Sequence, residues 1–214
     1  MLGLTWTAFV WSVDEPPLRV VRHRVLAGEI PATASAQRLT HAMHLDLALV
    51  SGSGWAGDRV IDAARQAAAI LAQCRISTLS IELHEFEGPQ AYRFLSTPVS
   101  REFARRSALG RPAVFFVADT LNRPAFEAEA VGRANSRTRP EMADTVWVTA
   151  GARDLPVVIA HELVHVLADS GGHSNEPGNL MLEETAPGST RLTAEQCSTI
   201  IATGTANGLL RELR

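Results

Sequence analysis

The stretch Val157–Met181, VVIAHELVHVLADSGGHSNEPGNLM, decides how the rest of this chain is read. It carries His161-Glu162-Leu163-Val164-His165, an HExxH pattern on an otherwise apolar run. A third histidine, His173, follows Gly171-Gly172, and Met181 lies eight residues beyond it. Residues four apart on an α-helix share a face, so His161 and His165 can present two imidazoles to one ion. Glu162 is one residue along and points to the side of that pair, where it can reach a water without ligating. Structural zinc is usually closed by four protein ligands, whereas catalytic zinc keeps three and leaves a position for water. Two helix histidines and one loop histidine therefore predict an open Zn²⁺ site held by His161, His165 and His173, with Glu162 as general base.

An HExxH pentapeptide recurs by chance, so its surroundings matter. Val157, Val158, Ile159, Leu163, Val164, Val166 and Leu167 make the helix mostly apolar, as suits a buried central element. Asp154 is an N-cap candidate and Pro156 suits a first turn, which predicts a helix over about Leu155–Ser170. Gly171 or Gly172 supplies the positive-φ stop that turns the chain back toward the metal.

With 214 residues, 46% apolar and 20% charged, the chain is read as one catalytic domain over 1–214, with 1–40 as an N-terminal extension. A net charge of −3 gives no nucleic-acid footprint, although every one of the 20 basic residues is arginine. No window reaches the roughly 20 apolar residues of a membrane span. Leu2–Val13 is apolar but lacks both a preceding basic residue and a small-residue cleavage site, so it does not read as a signal peptide. Two readings stay open for Cys74 and Cys197. They are buried free thiols, or one disulfide tying an early helix to a C-terminal helix, the latter favoured in a secreted or periplasmic protein.

Around the motif, alternation predicts strands at His41–Val50 and Ile76–Leu83, the short apolar run Ala113–Ala118 reads as a buried strand, and further strands are read at Leu18–Leu26, at Asp144–Thr149 and inside Phe126–Asn135. Asp58–Cys74 reads as an amphipathic helix with Val60, Ile61, Ala64, Ala68, Leu71 and Ala72 as its stripe. Ile30–Gln37 and Ser51–Gly57 read as loops, and Glu87–Leu109 as polar and irregular with a short helix at Ser100–Ser107. Thr193–Ala202 is a C-terminal helix whose capping box pairs Thr193 with Gln196. The expected class is α/β (α+β), two long helices on a small mixed sheet. His41 and His44 face opposite sides of a strand and read as surface histidines. His23 and His84 read as lone structural ones.

This order and this motif resemble the metzincin superfamily of zinc peptidases, whose members carry HExxHxxGxxH followed by a methionine turn. In matrix-metalloproteinase-like members the third histidine opens a segment of the form HSxxPxxLM. His173-Ser174-Asn175-Glu176-Pro177-Gly178-Asn179-Leu180-Met181 fits that form at every fixed position. The resemblance implies a twisted sheet, an upper helix at Asp58–Cys74 and the active-site helix below it. It also implies a cleft whose rim is an edge strand that pairs with an extended peptide. Ala130–Ala134 is the candidate rim, with Gly132 allowing close approach.

The chain departs from the family pattern in one respect. Ala168 stands where the family has glycine, and His173 follows His165 by eight residues rather than six. The expectation is a helix half a turn longer, turned by Gly171-Gly172. Asp169, Glu183 and Glu184 are the rival third ligands. Some members place a tyrosine after the methionine turn; here none follows Met181, Tyr92 being the only tyrosine. Cys74 has no propeptide motif around it and is not read as a latency switch.

The resulting expectation is a zinc-dependent endopeptidase acting on a peptide or protein substrate, with Glu162 moving the proton from water to the leaving amine. The rivals are a zinc-bearing peptide-binding protein without turnover and a zinc hydrolase of a non-protein amide. The pocket that sets specificity is expected to take part of its wall from Leu182–Arg191. Oligomeric state has no signature in the sequence.

Overall fold

The computed structural model describes residues 16–27, 38–121, 130–133 and 140–213. Its strands are β1 (Arg19–Ala27), β2 (His41–Val50), β3 (Ile76–Glu87), β4 (Phe94–Leu95), β5 (Ala113–Val117), β6 (Asp119–Thr120), β7 (Ala130–Arg133), β8 (Thr145–Thr149) and β9 (Arg211–Glu212). Its α-helices are α1 (Gly57–Leu71), α2 (Thr97–Ser107), α3 (Leu155–Ala168) and α4 (Ala194–Ala206). The class is mixed α/β.

The main sheet runs β1-β3-β2-β5-β8-β7, with β9 on the start of β2. Strands β3, β2, β5 and β8 are parallel, and β1 and β7 close the two edges antiparallel. Alternation sorts the side chains onto two faces. Met43, Leu45, Leu47 and Leu49 join the larger core with α1 and α3, as their spacing predicts. Ala48, Val50, Phe86, Phe115 and Trp147 form a second core on the other face, closed by Phe103 and Ala104 of α2. Phe115 and Trp147 stack at 4.3 Å, and Phe103 meets Phe86 edge-on at 5.5 Å.

Several boundaries differ from the sequence reading. The first helix ends at Leu71, and a 3₁₀ turn, Ala72–Cys74, carries it to a left-handed Arg75 (φ 62°). Strand β3 continues past Leu83 to Glu87, because β1 pairs with it along its whole outer half. Helix α2 begins at Thr97 rather than Ser100, with Pro98 in its first turn. Ahead of α2, the chain is anchored on the second core by Tyr92 and Leu95, one side chain at a time, which leaves no periodicity to read there. The loop reading at Ile30–Gln37 lies outside the described residues, as do parts of Phe126–Asn135 on either side of β7.

Helix α3 is the central element. Of its 14 residues, 11 are buried, and Glu162 is its one charged residue, half-buried. It packs on α1, on α4 and on β7 and β8. Cys74 and Cys197 form a disulfide with Cα atoms 4.9 Å apart, tying the end of the α1 segment to α4. Among the described residues no helix is long and apolar enough to cross a membrane.

Candidate metal centre

His161 and His165 lie one turn apart on α3, both buried (3% and 8% exposed). The Nδ1–H of His161 donates to the Leu180 carbonyl at 2.7 Å, and that of His165 to the Ser170 carbonyl at 2.6 Å. A carbonyl oxygen only accepts, so both rings carry their proton on Nδ1. Both Nε2 lone pairs are then left facing inward, 2.9 Å apart. Two lone pairs at that distance repel, and a cation between them turns the repulsion into shared ligation. His173 completes the group: its ring lies 5.4 Å from His161 and 4.9 Å from His165, centroid to centroid. One nitrogen from each of the three rings falls within 4.8 Å of the others. This donor set fits a zinc-class divalent ion, with carbonyls fixing the ring orientation behind two of the ligands.

Electrostatics favour the ligating form. Burial is the main cause that pushes His161 down from 6.5 to about 4; the Leu180 hydrogen bond opposes it, and His165 and His173 add to it. Burial likewise lowers His165, against the Ser170 hydrogen bond and with His173. Both imidazoles are therefore neutral near pH 7, as metal ligands must be.

The structure answers how His173 arrives despite the longer connection. Helix α3 stops at Ala168, two residues short of the predicted end. Asp169 itself takes the left-handed position (φ 48°), not Gly171 or Gly172. The Asp169 and Ser170 amides bond back to the last turn, with Ser170 N–H donating to the His165 carbonyl at 3.1 Å. One residue, Ser170, thus ends the helix and orients His165. The extra residues lie in the loop after the helix rather than inside it. Asp169, Glu183 and Glu184 are exposed and stand outside the histidine group among the described residues. Asp154 occupies the N-cap position but its side chain makes no capping hydrogen bond.

The segment after His173 is held at several points. Ser174 N–H donates to the Met181 carbonyl at 2.7 Å, and Gly178 takes φ 74° in the turn between them. Buried Asn179 accepts from Met181 N–H at 2.8 Å and exchanges two amide hydrogen bonds with Gln196 of α4, at 3.1 and 3.2 Å. Gln196 also accepts from Thr193 N–H at 2.8 Å, completing the predicted capping box. Met181 is buried beside the histidines. The roles of Asn179, Ser170 and the Leu180 carbonyl had no signal in the sequence: Asn179 falls on a variable position of the HSxxPxxLM form, and backbone carbonyls have no residue type.

A cavity of about 360 Å³ opens beside His165 and His173. Val164, Ala168 and Met181 line its near side, and Gln196, Thr199 and Ile200 of α4 its far side. Part of its wall thus comes from α4, and none of its lining comes from Leu182–Arg191. Strand β7 sits at the sheet edge beside α3, where the rim strand was expected.

No protein-family model matches the chain, and a search of curated proteins finds no relative. Among solved structures, the chain is similar to metalloproteinase-II from Bacteroides fragilis, with a TM-score of 0.55 and 14% sequence identity. The match covers 78% of this chain and 54% of that one, so this chain spans about half the length of that structure. At this identity the likeness concerns the fold alone.

Proposed function

We propose that the chain is a zinc-dependent endopeptidase of metzincin type, with His161, His165 and His173 as ligands and Glu162 as general base. The observation that carries the reading is the pair of Nδ1-anchored imidazoles, whose Nε2 atoms converge where a cation would be held. The likeness in fold to a metalloproteinase and the HSxxPxxLM segment support it. Zinc in that position would acidify a water and polarise the scissile carbonyl.

The chain's own residues supply the rest. Glu162 is the only carboxylate on a buried helix, one position from His161, and takes the proton from the attacking water. It then passes that proton to the departing amine, so that the amide is cleaved with no net proton change at the glutamate. The β7 edge is the proposed seat of an extended peptide, paired through backbone hydrogen bonds. The cavity between α3 and α4 is the proposed seat of one substrate side chain.

The test is cleavage of a generic protein substrate with and without a chelator, beside Glu162→Gln. That variant is expected to retain its metal and to lose activity by about 10²–10⁴-fold. A Glu162→Gln variant as active as the parent would overturn the assignment. Bound peptide without chelator-sensitive cleavage by the parent would favour the non-turnover rival instead.

A further inference from the structure

The two histidines that read as lone residues in the sequence are neighbours in the fold. His23 on β1 stands directly opposite His84 on β3 in the antiparallel register. Glu82 lies two residues before His84 and so projects from the same face of β3. The two imidazoles stack at 4.3 Å with 19° between their planes, and His23 Nε2 lies 3.1 Å from Glu82 Oε2. One ligand atom from each of the three falls within 4.8 Å of the others. This is the face that carries the second core, away from α1 and α3 and from the first histidine group.

We infer that His23, Glu82 and His84 form a second cation site that takes one zinc-class divalent ion. Four observations support it. First, His84 Nε2 is buried and has no hydrogen-bond partner. Its nearest anionic neighbour, Asp46 Oδ2, is 3.8 Å away and already accepts from Gly110 N–H at 2.7 Å. A buried nitrogen without a partner is rare and calls for one, and a metal supplies it. Second, Arg22 and Arg24 alternate to the other face of β1, where both pair with Glu85, so neither guanidinium neutralises Glu82. Third, two imidazoles and a carboxylate suit zinc, cobalt or nickel; calcium and magnesium take oxygen ligands. Fourth, the side chains of His23 and Glu82 are 43% and 31% exposed, which gives an ion a path in and leaves room for water as a further ligand.

The scaffold suits the task. Strand β3 is paired on both sides, with β1 and with β2, so Glu82 and His84 cannot drift apart. Asp46 on β2 stands opposite Glu82 and adds negative charge beside the group. The inference is independent of the peptidase reading, since it uses none of its residues.

The experiment is equilibrium dialysis of the metal-free protein against micromolar free Zn²⁺, with elemental analysis of the metal bound. The parent is expected to take up two equivalents. His23→Gln/Glu82→Gln, at solvent-open positions, should take up one and keep the parent's circular dichroism and peptidase activity. His84→Gln should likewise take up one. Equal zinc in the parent and in both variants would overturn the site and leave only a His23–Glu82 hydrogen bond. His161→Gln/His165→Gln serves as the separate control: if its zinc content matches the parent, the first site fails and the second is untouched.

Discussion

Two histidine groups occupy opposite faces of one sheet, and they are built on different principles. His161 and His165 take their spacing from a helical turn and their orientation from two backbone carbonyls, Leu180 and Ser170. His23 and His84 take their spacing from strand register and lean on a side-chain carboxylate, Glu82. The first pair is buried on a helix that is apolar almost all round; in the second, His23 is open to water while the Nε2 of His84 is buried. Carbonyls fix a tautomer permanently, whereas a carboxylate at the surface competes with water and salt. The first arrangement is fixed in advance by the backbone. The second suits an ion that holds strands together.

The contrast is most exposed to test at Glu162, where only one face should respond. Glu162→Gln is expected to lower kcat/KM by about 10²–10⁴-fold, measured on a protein substrate, while Glu82→Gln leaves it unchanged. Equal losses would erase the distinction between a reacting face and a structural one.

The next effect is on pH. With His161 held down at about 4 against 6.5 in the unfolded chain, the unfolded state binds more protons between those values. The metal-free protein is therefore at full stability above pH 6.5 and loses it as pH falls toward 4, on the order of 3 kcal/mol from this residue. Urea unfolding of the metal-free protein across that range measures it. His161→Gln should flatten the slope; an unchanged slope would place the proton uptake elsewhere.

A smaller effect separates the supports from the ligands. Asn179→Ala removes the acceptor for Met181 N–H and the tether to Gln196, and should weaken metal binding at the first group by roughly 10–100-fold. Chelator competition reads that change. Smallest of all, His44→Ala breaks only a hydrogen bond to Ser80 Oγ on an exposed side chain, and the unfolding free energy from urea titration should change by no more than about 0.5 kcal/mol.

Legibility in the sequence followed periodicity. His41–Val50 is legible through its alternation, and Ala113–Val117 and α3 through nearly unbroken apolar runs whose lengths suit a strand and a helix. The candidate site is legible for a related reason, since HExxH writes one helical turn into five residues. Elements built on single contacts were not visible. Tyr92 and Leu95 close the second core from a stretch that reads as polar and irregular, ahead of the short helix expected at Ser100–Ser107. The end of α3 was misplaced because Gly171-Gly172 looks like the better stop. Asp169 pre-empts it, its amide and that of Ser170 bonding back into the last turn. The pairing of His23 with His84 depends on register between strands 61 residues apart, which no local pattern encodes.

Gln196 serves two structures with one side chain: it starts α4 and it grips Asn179 beneath the histidines. The first turn of α4 therefore cannot fray without releasing the Met181 loop, and the loop cannot lift without exposing the helix start. The two open as one cooperative unit rather than as a flexible loop beside a rigid helix. In hydrogen exchange, the Met181, Thr193 and Gln196 amides would share a single opening free energy, so the mobility of the site is set from outside it, at the foot of a helix that contributes no ligand.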